Sequence, residues 1–389
     1  MVEELIMQKL FKRKSQPQAT STYQAQEDET QIEAASQWLL MWWKFRKDRL
    51  AIVGGIVVIL TYIVAFNAEF FAPKPHVWFA KDYTYAPPQR IRLLHEGRWQ
   101  GPFVYGYSFE RDPRSLKKIF AVDYETIIPL RFFVKGHPYK WLGLIPAQVR
   151  FFGPRGADDP FYLLGGDRSG RDVFSRIIYS ARVSLTVGLI GVAASLVIGL
   201  VIGGVSGLMG GWIDNLIQRL MEVIQSVPDV PILLALAAVV PIDWKPVRVY
   251  FMISLLLSFR NWTGMARVVR GRFLALRAED FVLAARLDGA SPFRLIVKHM
   301  IPSFLSHIIA SITLSIPFMI LNETVFSFLG VGLRPPVVSW GVMLQGAQRI
   351  VTVANYPWLL LPALAVVIVT LSMNFLGNGL RDAADPYAV

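Results

Sequence analysis

Residues 278–302 read AEDFVLAARLDGASPFRLIVKHMIP, a half-polar stretch set between strongly apolar runs. From Glu279 to Leu287 the pattern predicts a short helix, and Gly289 supplies a position that can take positive φ, as at a helix C-terminal cap. SPFRLIVKHM predicts a second helix, with Ser291 able to cap its start and Pro292 at the first helical position. Pro302 marks the entry to the next apolar run. Two short helices meeting at a glycine form a rigid knuckle. On pattern alone the same residues also fit an amphipathic loop lying at a lipid surface.

The surroundings decide between a soluble and a membrane setting. The chain has 389 residues, 53% of them hydrophobic, with several apolar runs near the ~20 residues that cross a bilayer core. This composition predicts an integral membrane protein. The net charge of +12 would fit a nucleic-acid partner in a soluble chain. In a membrane chain Lys and Arg gather in cytoplasmic flanks, so the charge reports topology and no nucleic-acid partner is expected. The absence of cysteine excludes disulfides and thiolate metal sites. None of His76, His95, His137, His299 and His307 has a second His or a carboxylate at metal-ligand helical spacing, and no metal site is assigned.

Residues 1–37 are read as a disordered cytoplasmic tail, because 14–36 are polar and short of aliphatic residues. No signal-peptide pattern follows Met1. Residues 38–72 predict an interfacial helix and a first span. Trp38, Trp42 and Trp43 suit the interface, and Lys44, Arg46, Lys47 and Arg49 mark the inner side. Residues 73–179 contain no run long enough to span, yet nineteen aromatic residues fall between Pro73 and Gly165. That content predicts a folded, water-exposed external domain, in which IRLL, ETIIPLRFFV and AQVRFFG look like strands.

Residues 180–389 hold the remaining spans. Val183 to Ile213 is free of charge and places Gly199, Gly203, Gly207 and Gly211 at intervals of four, a flat face for close helix packing. Glycine loosening near a helix end fits Gly207 and Gly211 better than Gly199 and Gly203. A third span over 216–240 is expected to kink or break at SVPDVP, since Pro228 and Pro231 cannot sustain helical hydrogen bonds. Further spans are expected near 247–266, 303–329 and 357–378. The predicted fold is an all-α polytopic membrane protein with six transmembrane helices and an external domain between spans 1 and 2. With both termini inside, the knuckle falls in the cytoplasm. Charge agrees: Arg267 to Pro302 holds seven Lys or Arg against three acids, whereas PIDWKPVRV and LGVGLRPPVVSWGVMLQGAQRI hold two basic residues each. Glu222, Arg260 and Glu323 are the polar residues expected inside or beside the spans; Glu323 either meets the pathway or a partner span, or is solvated near the outer interface.

LAARLDGASPFRLIVKHMIP resembles the coupling motif of binding-protein-dependent ABC transporter permeases, in which E-A-A, a glycine and a terminal Leu-Pro recur at fixed spacing. Ala284, Ala285, Gly289, Ile301 and Pro302 match it; Leu283 replaces the Glu, His299 the usual aliphatic, and Ile301 stands in for Leu. LLGGDRSGRDVFSRIIYSARVSLTVG, WTGMARVVRG and ETVFSFLGVGLRPPVVSWG resemble segments of the C-type permeases for oligopeptides, dipeptides and nickel. Gly166 stands where many relatives have Thr.

The resemblance implies one N-terminal span followed by a five-helix type I importer core, in a bacterial inner membrane. It implies half of a pore for a peptide or related solute, a second homologous permease, two cytoplasmic ATPases, and an external binding protein. ATP and Mg2+ would sit on the partner ATPases and no cofactor on this chain, which contains no G-x-x-x-x-G-K-S/T phosphate loop. The ATPase-coupling residues would be Ala284, Ala285, Gly289, Ala290, Ile301 and Pro302 within 279–302, with RFLAL and Pro302 as joints. An ion-coupled secondary transporter is the alternative, but only Glu222 and Glu323 are candidate intramembrane acids and no inverted repeat is visible. An intramembrane hydrolase using His307 with Ser303 or Ser306 would lack a G-x-S-x-G turn.

Overall fold

A computed structural model describes residues 37–114, 117–241 and 243–384. The expected tail therefore lies, Gln37 apart, outside the described residues. Helix α1 (Gln37–Phe45) leads to α2 (Arg49–Phe66), which starts where the Asp48 carboxylate accepts the N–H groups of Leu50 and Ala51. A single turn, α3 (Ala68–Phe71), follows. The core then contains α4 (Val173–Met209), α5 (Gly211–Ser226), α6 (Asp229–Ala238) and α7 (Pro246–Leu276). After these come α8 (Asp280–Leu287), α9 (Pro292–Arg294), a π-helical turn (Leu295–Met300) and α10 (Ile301–Ser303). The last elements are α11 (Leu305–Phe328), α12 (Trp340–Gln345), α13 (Ile350–Asn355) and α14 (Leu361–Ala384), the last entered through a 3₁₀ turn over Pro357–Leu360.

Among the described residues, α2, α4, α11 and the run Pro357–Ala384 are long and apolar enough to cross a membrane. Helix α4 has 37 residues, which at ~1.5 Å per residue exceeds the ~30 Å hydrocarbon core by several turns. Its excess lies at the N-terminal end, where Arg176 and Arg182 occur. The helix expected over 216–240 is two helices. Gly210 and Gly211 turn the chain at positive φ, and the path breaks at Val227–Pro228, while Pro231 is accommodated in the first turn of α6. Helix α7 runs ten residues past the expected end at 266, so RFLAL is helix rather than joint, and the chain bends after Leu276.

The all-α expectation needs one correction, because the segment before α4 carries a four-stranded antiparallel sheet. Strands β1 (Arg92–His95), β2 (Arg98–Arg111), β3 (Lys118–Trp141) and β4 (Ile145–Pro154) pair in sequence order. All three segments expected as strands lie on it or overlap it. The long β3 pairs β2 with its first half and β4 with its second, so one strand links two hairpins. Val104, Ile128 and Leu130 bury one side with Phe161. Alternating aromatic or β-branched and polar residues favour this half-buried pleat over helix.

Contacts sort the molecule into two poles. The Arg182 guanidinium caps the last carbonyls of α2, at Ala65 and Phe66, and pairs with Glu69, so the end of α2 meets the start of α4. The same pole holds the sheet, Trp358, whose indole donates to the Gly166 carbonyl, and Tyr85 stacked on Tyr356. At the opposite pole the start of α2 meets the end of α14, with Gly379 against Ala51. The ends of α4 and α7 lie there too, with α8, α9 and the π turn packed on them. Both ends of the described chain and the knuckle thus share one pole.

Candidate functional site

The knuckle is built from a helix end that only glycine closes easily. Gly289 has φ +79°; its N–H reaches the Arg286 carbonyl and the N–H of Ala290 reaches that of Ala285, the paired bonds of a Schellman cap. The Ser291 hydroxyl then accepts the N–H of Arg294 and starts the second helix one residue later. The turn is short and hydrogen bonds close the helix ends on both sides of it.

Its two faces differ. Val282, Ala285, Leu295 and Met300 are buried against Met265, Val269 and Phe273 of α7 and Phe304 and Ile308 beyond, with Ala290 and Ile301 at the margin. Ala284 is exposed, and its carbonyl accepts the Asp288 N–H. On the outer face Leu287 is 88% and Phe293 75% exposed, with Phe281, Leu283 and Val297 around them. Together they leave an apolar patch open on this turn. Pro302 is exposed on α10, and the chain breaks helical geometry at Phe304, the bend that leads into α11.

Helices α4 and α7 carry the knuckle. A methyl group on Gly199 would stand 2.7 Å from Met265, on Gly203 2.4 Å from the Ala266 carbonyl oxygen, and on Gly207 2.5 Å from Phe273. The backbones touch along this stripe. Gly207 belongs to the packing face, whereas Gly211 meets nothing and serves the turn into α5. Just below, the Asp214 carboxylate accepts two hydrogen bonds from the Arg270 guanidinium, each 2.6 Å, and one from the Ser206 hydroxyl. Three helices meet at this brace. Sequence reading missed Asp214 and Arg270; their only signal was an acid just past a charge-free run and an Arg on the following long helix.

The remaining polar residues separate. Glu222 is exposed and paired with Arg219 at 2.7 Å. Arg260 donates to the carbonyls of Ile224 and Gln225, capping the broken end of α5 where partial negative charge collects. Glu323 is fully buried within the chain. It accepts the hydroxyls of Ser184 on α4, at 3.2 Å, and Ser327, at 2.7 Å. Ser184 accepts the Trp340 N–H and Ser327 that of Leu333. The carboxylate therefore clamps α4, α11 and the loop before α12, with Gly332 and Gly341 pressed against Ser327. Sequence reading offered the pathway or a partner span, or solvent near the outer interface; within this chain the carboxylate is buried and bonded to another span, α4. His307 lies 3.5 Å from Arg272, and the Ser303 hydroxyl donates to the Met300 carbonyl.

Fold and site together define a polytopic helical membrane protein with an exposed apolar knuckle. Comparison with known proteins gives the class its family. Residues 196–388 match the model described as binding-protein-dependent transport system inner membrane component. Residues 36–88 match the N-terminal transmembrane domain of oligopeptide transport permease C. The dipeptide transport system permease DppC of Lactococcus lactis subsp. cremoris is 30% identical over 353 residues, 89% of this chain and 90% of that one. DppC of Bacillus subtilis is 36% identical over 233 residues, 60% of this chain and 70% of that one. OppC of the same organism, an oligopeptide transport system permease, is 35% identical over 223 residues, 57% and 70% of the two chains. The chain belongs to the OppC/DppC-like inner-membrane permeases of binding-protein-dependent ABC importers. It is a multi-pass transport subunit of the bacterial inner membrane, and the alternative of an ion-coupled secondary transporter gives way to that assignment.

Proposed function

We propose that this chain forms half of a translocation pathway for peptides, paired with a second, homologous permease and driven by two cytoplasmic ATPases that dock on the α8–α9 knuckle. An external binding protein delivers the solute. Six spans are the reading that the two poles support: α2, α4, the broken pair α5–α6, α7, α11 and α14, with both termini and the knuckle in the cytoplasm and residues 73–179 outside. ATP and Mg2+ reside on the ATPases, and this chain carries out no hydrolysis. The names of the relatives, dipeptide and oligopeptide permeases, support peptides as the solute.

One observation carries the coupling role: Leu287 and Phe293 stand in the open on a turn whose other face is locked into α7. Force applied to them is transmitted to the whole of α7 and, through the glycine stripe, to α4. The test is co-purification of the ATPases and ATP-dependent peptide uptake in membranes. Leu287→Asp combined with Phe293→Asp is expected to leave chain abundance unchanged while reducing ATPase capture at least tenfold. Gly289→Val would force a β-branched residue to positive φ, at a cost of about 1–3 kcal/mol, and is expected to weaken docking by a comparable factor. Full ATPase retention and uptake in both variants would refute the coupling role.

A further inference from the structure

The β3–β4 hairpin descends toward the membrane alongside the exit of α2. Gly153, near one end of the hairpin, lies against Pro73. Farther along, the buried Arg150 guanidinium donates to the carbonyls of Ala72 and Glu69. At the far end the Trp141 indole donates to the Asn67 side chain at 2.8 Å. These contacts step backward along the chain, Pro73, Ala72, Glu69, Asn67, so the hairpin runs antiparallel to the path leaving the membrane. Asn67 is the C-cap of α2. Trp141 pairs with Ile145, and the turn Leu142–Leu144 projects beyond that pair, past the level at which the span ends.

The projecting turn is apolar. Leu144 is 82% exposed, and Leu142 and Ile145 more than half. On α2, whose C-cap Asn67 accepts the Trp141 indole, Ile59, Ile63 and Phe66 are exposed as well. From Thr126 to Ala157 the sequence has no acidic residue, while Lys140 is exposed beside the tip and Lys135 farther along β3. Apolar tip, tryptophan at its edge and flanking lysines are the chemistry of a segment seated among lipid headgroups and upper acyl chains, where lysine ammonium groups meet phosphates.

We infer that the β3–β4 hairpin is a membrane foot: its tip, Trp141–Ile145, inserts into the outer leaflet beside α2 and fixes the sheet domain against the bilayer. The inference requires only that α2 spans the membrane and is independent of the transported solute. A chain without cysteine makes the test direct, since a single introduced thiol is labelled at one place. Leu144→Cys carries a nitroxide in the assembled transporter reconstituted into phosphatidylethanolamine/phosphatidylglycerol vesicles, with Ile59→Cys as lipid-facing and Glu125→Cys as water-facing references. Collisions with oxygen are expected to exceed those with a water-soluble nickel chelate, as at Ile59→Cys, and a nitroxide-to-lipid depth reading should place the label within the leaflet. Chelate access like that of Glu125→Cys would overturn the foot in favour of a solvent-facing tip. Protection from both reagents would overturn it in favour of a protein contact, such as the second permease.

Discussion

Asp172 shows how much a single buried group can set the pH response of the pole that holds the sheet. It begins α4, accepting the N–H groups of Phe174 at 3.3 Å and Ser175 at 2.8 Å. Burial pushes its carboxyl up to about 6 in spite of those bonds, and burial likewise pulls the nearby Lys74 ammonium down to about 8. Both shifts disfavour the charged form, so each group subtracts stability at neutral pH. Folded Asp172 holds its proton more tightly than the unfolded chain, so stability falls as pH rises from about 4 to about 6. For Lys74 the sign is reversed, and stability is recovered as pH rises from about 8 toward about 10.5. Asn caps a helix as well as Asp and carries no charge. Asp172→Asn is therefore expected to keep or raise Tm near neutral pH and to flatten the decline between about pH 4 and pH 6, as read by thermal denaturation in detergent. A lower Tm at neutral pH with the acid-side slope unchanged would show that the buried charge is not the cause.

Among the elements, the α4–α7 pair is the one in which the sequence pattern and the structure meet most closely. Glycines spaced by four announce a close approach, but the pattern cannot say which helix approaches or where the stripe stops. Ala266, Met265 and Phe273 supply that answer, and they extend the stripe to Gly207. At Gly203 even a methyl group meets backbone, which cannot move aside as a flexible side chain can. Gly203→Ala is expected to lower Tm by several degrees and Gly203→Leu to prevent accumulation of the folded chain, whereas Gly264→Ala, at a site with nothing near, should be neutral. Comparable melting of all three would mean that the helices separate without consequence. The broken third helix was legible in Pro228, while the Arg260 cap on the broken end of α5 depended on a partner distant in sequence.

Across the whole molecule, the Glu323 clamp and the Asp214 brace hold opposite ends of the helical core. Each joins helices separated by more than 50 residues. Removing the Glu323 carboxylate leaves two buried serine hydroxyls without their acceptor, a cost of about 1–3 kcal/mol each at most. Glu323→Ala is expected to lower Tm and abundance sharply, and Glu323→Gln, which keeps one acceptor, to do so by less than half as much. A normal Tm with lost uptake in Glu323→Ala would instead assign the carboxylate to the pathway.

Composition and periodicity alone determined that this chain lives in a membrane, where its apolar runs fall, and that a glycine-hinged knuckle interrupts them. Those properties are local: hydrocarbon thickness sets run length, and a positive φ selects glycine within a few residues. The sheet was legible only as scattered strands, because pairing β3 with two different neighbours is a long-range choice. The destinations of Glu323, Arg260 and Asp214 were decided by tertiary structure alone. A buried charge or a helix end away from water must find its hydrogen-bonding partner wherever the fold brings one, and no spacing along the chain records which residue that will be.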